Sequence, residues 1–185
     1  MKGHSRKLIS VIRRIVGEPI QGAEVGVWRG GMALALLSTF PDLELTMVDP
    51  WLPHEGKTAE EMQAIKQEAL DVTQFADDRR FVMEMSSRDA VADLLSDLEF
   101  SKSNLGLFDF VFIDADHRYE HVKQDVEMWT PLVRSEGIVS GHDYGGMNDK
   151  RGVWGIKRAV DEYANEHGCV VGHDPRTGVW WFVKE

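Results

Sequence analysis

Two apolar runs of this 185-residue chain end in acids with histidines beside them. FDFVFID (108–114) delivers Asp114, with Asp116 and His117 just beyond, and GIVSGHD (137–143) delivers His142 and Asp143. A short continuous apolar run reads as a strand buried on both faces, and ligands of open α/β sheets bind beyond the carboxyl ends of such strands. Carboxylates gathered there can hold a divalent cation, and an imidazole, which titrates near neutrality, can take a proton from a reacting group. A second group lies upstream. In AEVGVWRGG, Glu24, Gly26 and Gly30 form ExGxxxG ahead of a helical stretch. Glycine there permits close backbone approach, and the following helix start offers amide donors. This is not the GxGxxG of a dinucleotide fold, because Trp28 stands where the second glycine would be. Asp49 ends the run LTMVD; such an acid can accept both hydroxyls of a ribose or serve as a turn and cap former.

These residues need a scaffold, and the pattern supplies one. Strand-type runs at 22–27, 44–48, 80–84, 108–113, 137–141, 169–173 and 178–183 alternate with segments of helical period. The helical positions are Met62, Ile65, Ala69, Val72 and Ala76; Val91, Leu94, Leu95 and Leu98; Val122, Val126, Trp129 and Val133; and Ile156, Ala159, Val160 and Tyr163. Thr58 with Glu61 has capping-box spacing. Ser86 with Asp89 reads as a second helix cap, and Asp116 as the N-cap of the helix that begins near Tyr119. Alternation of this kind predicts right-handed crossovers and a doubly wound, mostly parallel seven-stranded α/β sheet. Only HDPRTG separates the last two runs, too few residues for a crossover helix, so these strands form an antiparallel hairpin at the sheet edge. Residues 1–185 read as a single domain. The longest irregular segments, 49–57 and 142–155, leave strand ends and are candidate lids, with Gly145, Gly146 and Gly152 as hinges.

Composition excludes several partners. A net charge of -10 opposes binding to nucleic acid, which needs clustered cations to displace counterions. The one basic group, Arg6, Lys7, Arg13 and Arg14, reads as the solvated face of an amphipathic helix with Leu8, Ile12 and Ile15 inward. No apolar run is long enough to span a bilayer, and arginines interrupt the place a signal peptide would need to be apolar. A cytoplasmic protein is expected. The lone Cys169 cannot pair within the chain and reads as a small core residue in a strand.

Taken in succession, AEVGVWRGG, LTMVDPW, VFIDADHRYEHVKQDVEMW and GIVSGHDY resemble class I S-adenosylmethionine-dependent methyltransferases, most closely the small-molecule O-methyltransferase branch that includes macrocin O-methyltransferase-like proteins. The resemblance implies the Rossmann-like methyltransferase sheet with a reversed last strand. It also implies that Glu24, Gly26, Gly30 and Asp114 line the cofactor, that Asp49 holds its ribose, and that Ser87 and Arg88 border adenine. Trp28 matches an aromatic position beside the cofactor, with simple packing as its other reading. Asp114 and Asp143 match the two aspartates that bind Mg2+ or another divalent cation in metal-dependent relatives. Those relatives carry Asn or Asp after the second aspartate; this chain has Tyr144, leaving Asp116 or His142 to complete the set. His117 occupies the place of the general base in catechol-type relatives, and His142 is its rival. The implied acceptor is a small hydroxylated molecule, its pocket shaped by the two irregular segments and, in a homo-oligomer, by a partner subunit. The competing reading is a non-catalytic cofactor-binding or interaction module on the same fold.

Overall fold

The computed structural model describes residues 3–54, 56–101, 107–146, 148 and 154–185. In chain order the elements are α1 (Gly3–Ile15), β1 (Gln21–Val25), α2 (Gly31–Thr39), β2 (Glu44–Val48), α3 (Ala59–Val72), β3 (Arg80–Met83), α4 (Ser87–Ser101), β4 (Phe108–Ile113), α5 (Tyr119–Trp129), β5 (Val133–Gly141), α6 (Ile156–His167), β6 (Gly172–His173) and β7 (Trp180–Val183). One seven-stranded sheet runs β3-β2-β1-β4-β5-β7-β6. The first five strands are parallel; β7 is antiparallel to both β5 and β6. The doubly wound sheet with a reversed hairpin is thus the one expected from the pattern, and β7 inserts between β5 and β6.

The apolar face of each helix decides which side of the sheet it covers. Leu8 and Ile12 of α1, Leu36 and Leu37 of α2, and Met62 and Ile65 of α3 pack with Phe110 and Phe112 on one side. Val122, Val126 and Trp129 of α5, with Ile156 and Val160 of α6, pack with Val111 and Val139 on the other. Because β1 and β4 are covered on both faces, they carry no polar alternation, and any acid at their carboxyl ends is held between two apolar layers. The basic residues of α1 lie over aromatic rings: Lys7 is 4.9 Å and Arg14 5.9 Å from the Trp181 ring centroid.

Local chemistry moves several boundaries. Val133 has helical spacing but begins β5, because Pro131 follows α5 and cannot continue its hydrogen-bond ladder. CVVGH contributes only Gly172 and His173 to the sheet: Gly168 (φ 72) closes α6 in the left-handed conformation, and the Cys169 amide still donates to Ala164 O. Cys169 is therefore half-buried against the core outside the ladder. The Thr58–Glu61 capping box is complete, and Ser86 Oγ accepts from the Asp89 amide at 3.1 Å as a cap should. Asp116 is not the cap of α5; Arg118 occupies that position, with no side-chain cap. No described helix is long and apolar enough to cross a membrane.

Candidate functional site

Register brings the acids together. Val25 of β1 pairs with Val48 of β2 on one side and Ile113 of β4 on the other, and Ile113 pairs with Gly141 of β5. Four strands therefore end level, and Asp49, Asp114, His142 and Asp143 leave the same edge, with Glu24 one residue inside it.

The β1–α2 turn is closed by Asp49. Its Oδ2 accepts from the amides of Val27 (3.0 Å) and Trp28 (2.9 Å), while Oδ1 accepts from the Trp51 amide (2.8 Å). Trp51 Nε1 in turn donates to Trp28 O at 2.9 Å. Both tryptophans sit at positive φ, 54° for Trp28 and 41° for Trp51. Side chains of this bulk rarely adopt such a backbone, and about 1–3 kcal/mol of strain at each is sustained by the surrounding hydrogen bonds. Asp49 is thus first a turn anchor, with acceptor capacity remaining on Oδ1 for a hydroxyl. Trp51 is buried, whereas Trp28 remains exposed and meets the His54 ring edge-on at 5.6 Å.

The turn glycines serve packing between chain segments. At Gly26 (φ 93) an added Cβ would lie 2.2 Å from Asp114 O, so this glycine lets the ends of β1 and β4 touch. At Gly30 (φ 74) a Cβ would meet Ala69 Cα of α3 at 2.9 Å. Glu24 is 1 % exposed, and its Oε2 has no hydrogen-bond partner. Burial, then the nearby charges of Asp114 and Asp49, push its pKa well above the ordinary carboxyl value, against a lowering hydrogen bond from the Ala33 backbone. A carboxyl kept this dry with an unmatched oxygen is set to receive a cationic donor.

The other half of the site is an aspartate–imidazole cluster. His117 Nε2 lies 3.5 Å from Asp114 Oδ1 and 3.3 Å from Asp143 Oδ2, and His142 Nδ1 lies 3.2 Å from Asp143 Oδ2 and 3.8 Å from Asp114 Oδ2. The His117 contacts are ion pairs; its buried Nε2 has no well-formed hydrogen bond. Burial opposes a charged His117, but the two facing carboxylates outweigh it and hold its pKa up at about 10. His142 is raised by the same carboxylates against the same opposition, and Asp143 is held below the usual carboxylate range by the two imidazoles despite its burial. Asp114, His117 and Asp143 each offer a donor atom within 4.8 Å of the others, a grouping that can hold a cation.

Neighbours fix these groups from outside. Trp154 stacks on His117 at 4.4 Å, and the Gly155 amide donates to His117 O at 2.8 Å. His142 Nε2 donates to Thr177 O at 2.8 Å, since a carbonyl can only accept. The His4 ring lies 4.8 Å from that of His142. Sequence reasoning had not found Trp154, Thr177 or His4: the first stands in a segment read only as a lid, the second acts through its backbone, and the third is distant in the chain.

Three expected residues stand apart from the cluster. Asp116 turns back on its own loop, bound to the Arg118 amide at 2.8 Å and to the Arg118 guanidinium at 2.6 Å. Ser87 Oγ donates to Asp125 Oδ1 at 2.5 Å and accepts from Trp129 Nε1 at 2.8 Å, so its hydroxyl ties α4 to α5. Arg88 is exposed on α4. Tyr144, in the third-ligand position, is buried and donates its hydroxyl to Asp161 of α6 at 2.6 Å. Of the hinge glycines, Gly145 has φ 65, and Gly152 lies outside the described residues.

A family model described as a methyltransferase domain matches residues 23–144, which include every strand end of the site. No curated protein sequence matches the chain significantly. Among solved structures, a Staphylococcus aureus protein assigned as a caffeoyl-CoA O-methyltransferase superimposes with a TM-score of 0.70 at 17% identity, covering 100% of this chain and 84% of that one. The O-methyltransferase from Bacillus cereus, solved in complex with SAH, gives 0.66 at 18% identity, covering 99% and 84%. The N-methyltransferase NodS from Bradyrhizobium japonicum gives 0.62 at 14%, covering 98% and 94%. At such identities the likeness concerns the fold, which serves both oxygen and nitrogen acceptors; the acceptor must be argued from the site.

Proposed function

The chain belongs to the methyltransferase-domain family, and from that premise we propose that it transfers a methyl group from S-adenosylmethionine to a hydroxyl of a small molecule. The observation that carries this reading is the pairing of two unlike half-sites across Asp114: a buried carboxyl with an unmatched oxygen at Glu24, and an imidazole–aspartate cluster at His117, His142 and Asp143. S-adenosylmethionine supplies, when bound, an electrophilic methyl group on a sulfonium together with an ammonium that the Glu24 carboxyl can receive.

On the donor side, Asp49 uses its remaining acceptor capacity for a ribose hydroxyl while its other lone pairs keep the Trp28 turn in place. Trp28 presents an exposed ring at the mouth of that turn. Ser87 contributes by fixing the wall between α4 and α5, its own hydroxyl being occupied.

On the acceptor side, in-line displacement requires the hydroxyl to be positioned and to lose its proton. Asp114 and Asp143, with an imidazole, form the donor set that would hold a divalent cation, whose chemistry is to polarise the acceptor oxygen and lower its pKa. His117 is the base. As the site stands, the two carboxylates keep its imidazole protonated at neutral pH. A divalent cation held by those carboxylates would offset their charge and lower the His117 pKa, so that the neutral imidazole could accept the proton of the hydroxyl. Trp154 holds the ring in its plane and shields it from water on one face.

The test has two arms. Calorimetry should show S-adenosylmethionine binding by the wild type and a loss of at least about tenfold in Glu24→Gln, one hydrogen bond to a charged group being worth that much or more. Methyl transfer to a panel of hydroxylated acceptors should fall about 10²- to 10⁴-fold in His117→Ala with cofactor binding retained. Failure of the wild type to bind the cofactor overturns the reading. Binding without turnover on any acceptor would favour the non-catalytic module.

A further inference from the structure

The two imidazoles of the cluster are not equivalent, and the difference carries information about the cation. His142 commits its Nε2–H to the Thr177 carbonyl, which turns Nδ1 toward Asp143 Oδ2 (3.2 Å) and Asp114 Oδ2 (3.8 Å). A ring nitrogen facing two carboxylates is favourable with a positive charge between them, carried either by a proton on that nitrogen or by a metal ion that takes the proton's place. Metal-bound histidines characteristically donate their other ring N–H to a carbonyl or carboxylate, which sets the tautomer and the ring orientation. His142 has that arrangement, whereas His117 is oriented by stacking on Trp154.

The two oxygen ligands that flank the cluster in sequence are engaged elsewhere. Asp116 is bound to the Arg118 guanidinium and backbone, and Tyr144 points its hydroxyl at Asp161. Two donors on one ion with bonds of about 2.1 Å stand at most about 4.2 Å apart, and both separations from His142 Nδ1 fall inside that limit. The β6–β7 turn that supplies Thr177 is itself packed on the site: the Tyr144 amide donates to Gly178 O at 3.1 Å, and a Cβ at Gly178 would lie 3.3 Å from Asp143 N.

We infer that Asp114, His142 and Asp143 form a carboxylate–imidazole site that selects a first-row transition ion such as Mn2+, Fe2+, Co2+ or Zn2+ over Mg2+, with the Thr177 carbonyl as the group that orients His142. Donor type decides the selection. Imidazole nitrogen suits borderline ions, while magnesium favours oxygen ligands and retains its waters. This inference rests on the site being the acceptor half of a methyltransferase, and its test is chosen to fail separately from that reading.

Full-length protein freed of metal by chelation is titrated with Co2+, read by visible absorption, with Mn2+, read by electron paramagnetic resonance, and with Mg2+, read by calorimetry. The expected result is one site that binds Co2+ and Mn2+ at least about tenfold more tightly than Mg2+. His142→Ala should weaken Co2+ by about 10- to 100-fold and shift its spectrum, while leaving Mg2+ within about threefold. His142→Asp, which restores an all-oxygen set, should move the preference back toward Mg2+. Melting temperatures of both variants establish that they fold, and S-adenosylmethionine binding is measured on the same samples. Equal affinity for Mg2+ and Co2+ in the wild type overturns the inference, as does an unchanged Co2+ affinity and spectrum in His142→Ala. Cofactor binding that persists in that event leaves the methyltransferase reading standing.

Discussion

Replacing Asp125 by asparagine should shift the stability of this protein in the variant's favour between about pH 4 and neutral pH, by about 3 kcal/mol relative to the wild type. Asp125 lies on α5 and is 6 % exposed. Burial is the main cause that lifts its pKa from 3.8 to about 6, with Asp116 adding to the rise and Ser87 and His121 opposing it. A shift of about two pKa units corresponds to about 3 kcal/mol between the folded and unfolded chain. For an acid with a raised folded pKa, the carboxyl is neutral in both states below about pH 4 and costs nothing there. Between about pH 4 and 6 the unfolded chain ionises while the folded one stays protonated, so stability falls as pH rises, and the loss is complete above about pH 6. Asparagine is neutral throughout, and its amide oxygen can still accept from Ser87 Oγ, now 2.5 Å from Asp125 Oδ1. An unmatched amide N–H₂ would subtract about 1–3 kcal/mol at every pH, so the pH-dependent part is the decisive quantity. Urea unfolding of both proteins at about pH 4 and pH 7.5 should show the difference between them swinging by about 3 kcal/mol in favour of the variant. In thermal melts that is about 6–12 °C for a domain of this size. A difference between the two proteins that stays flat with pH would refute the argument that Asp125 is held protonated by burial.

Two further substitutions probe the frame of the site. Gly26→Ala places a Cβ at 2.2 Å from Asp114 O on a backbone at φ 93, and should cost more than about 2 kcal/mol in urea unfolding. A cost below about 0.5 kcal/mol would show that the β1 and β4 ends are free to separate. Thr58→Ala removes a complete capping box from α3 and should lower stability by about 1 kcal/mol, measurable by calorimetric melting. No loss there would mean that α3 is held by the packing of Met62, Ile65 and Ala69 alone.

Much of the fold was legible because its causes are local. FDFVFID and GIVSGHD are too apolar to be surface strands, the helical segments repeat at three and four, and HDPRTG is too short for a crossover. Those three facts require a parallel sheet with an antiparallel end. The boundaries that moved did so where a single residue outweighed periodicity, as Pro131 did after α5 and Gly168 after α6. The acids of the site were legible for the same reason as the strands: Asp49, Asp114 and Asp143 each end an apolar run, and level register at the sheet edge follows from parallel pairing.

What each acid does there was decided only by tertiary contacts. Nothing in LTMVD says that Asp49 accepts three backbone amides, because two of those amides belong to a turn 21 and 22 residues away. Asp116 and His117 are adjacent in sequence, yet one is bound to its own loop through Arg118 and the other lies between two aspartates. Ser87 matched a cofactor position, but Asp125 and Trp129 claim its hydroxyl from another helix. Hydrophobic periodicity fixes which residues leave the carboxyl edge of the sheet, so the gathering of these acids and histidines at one edge can be read from the chain alone. Hydrogen-bond partners come from segments that periodicity does not relate, and so only the folded chain could assign Asp49 to a turn, Ser87 to a wall, and the Thr177 carbonyl to the orientation of His142.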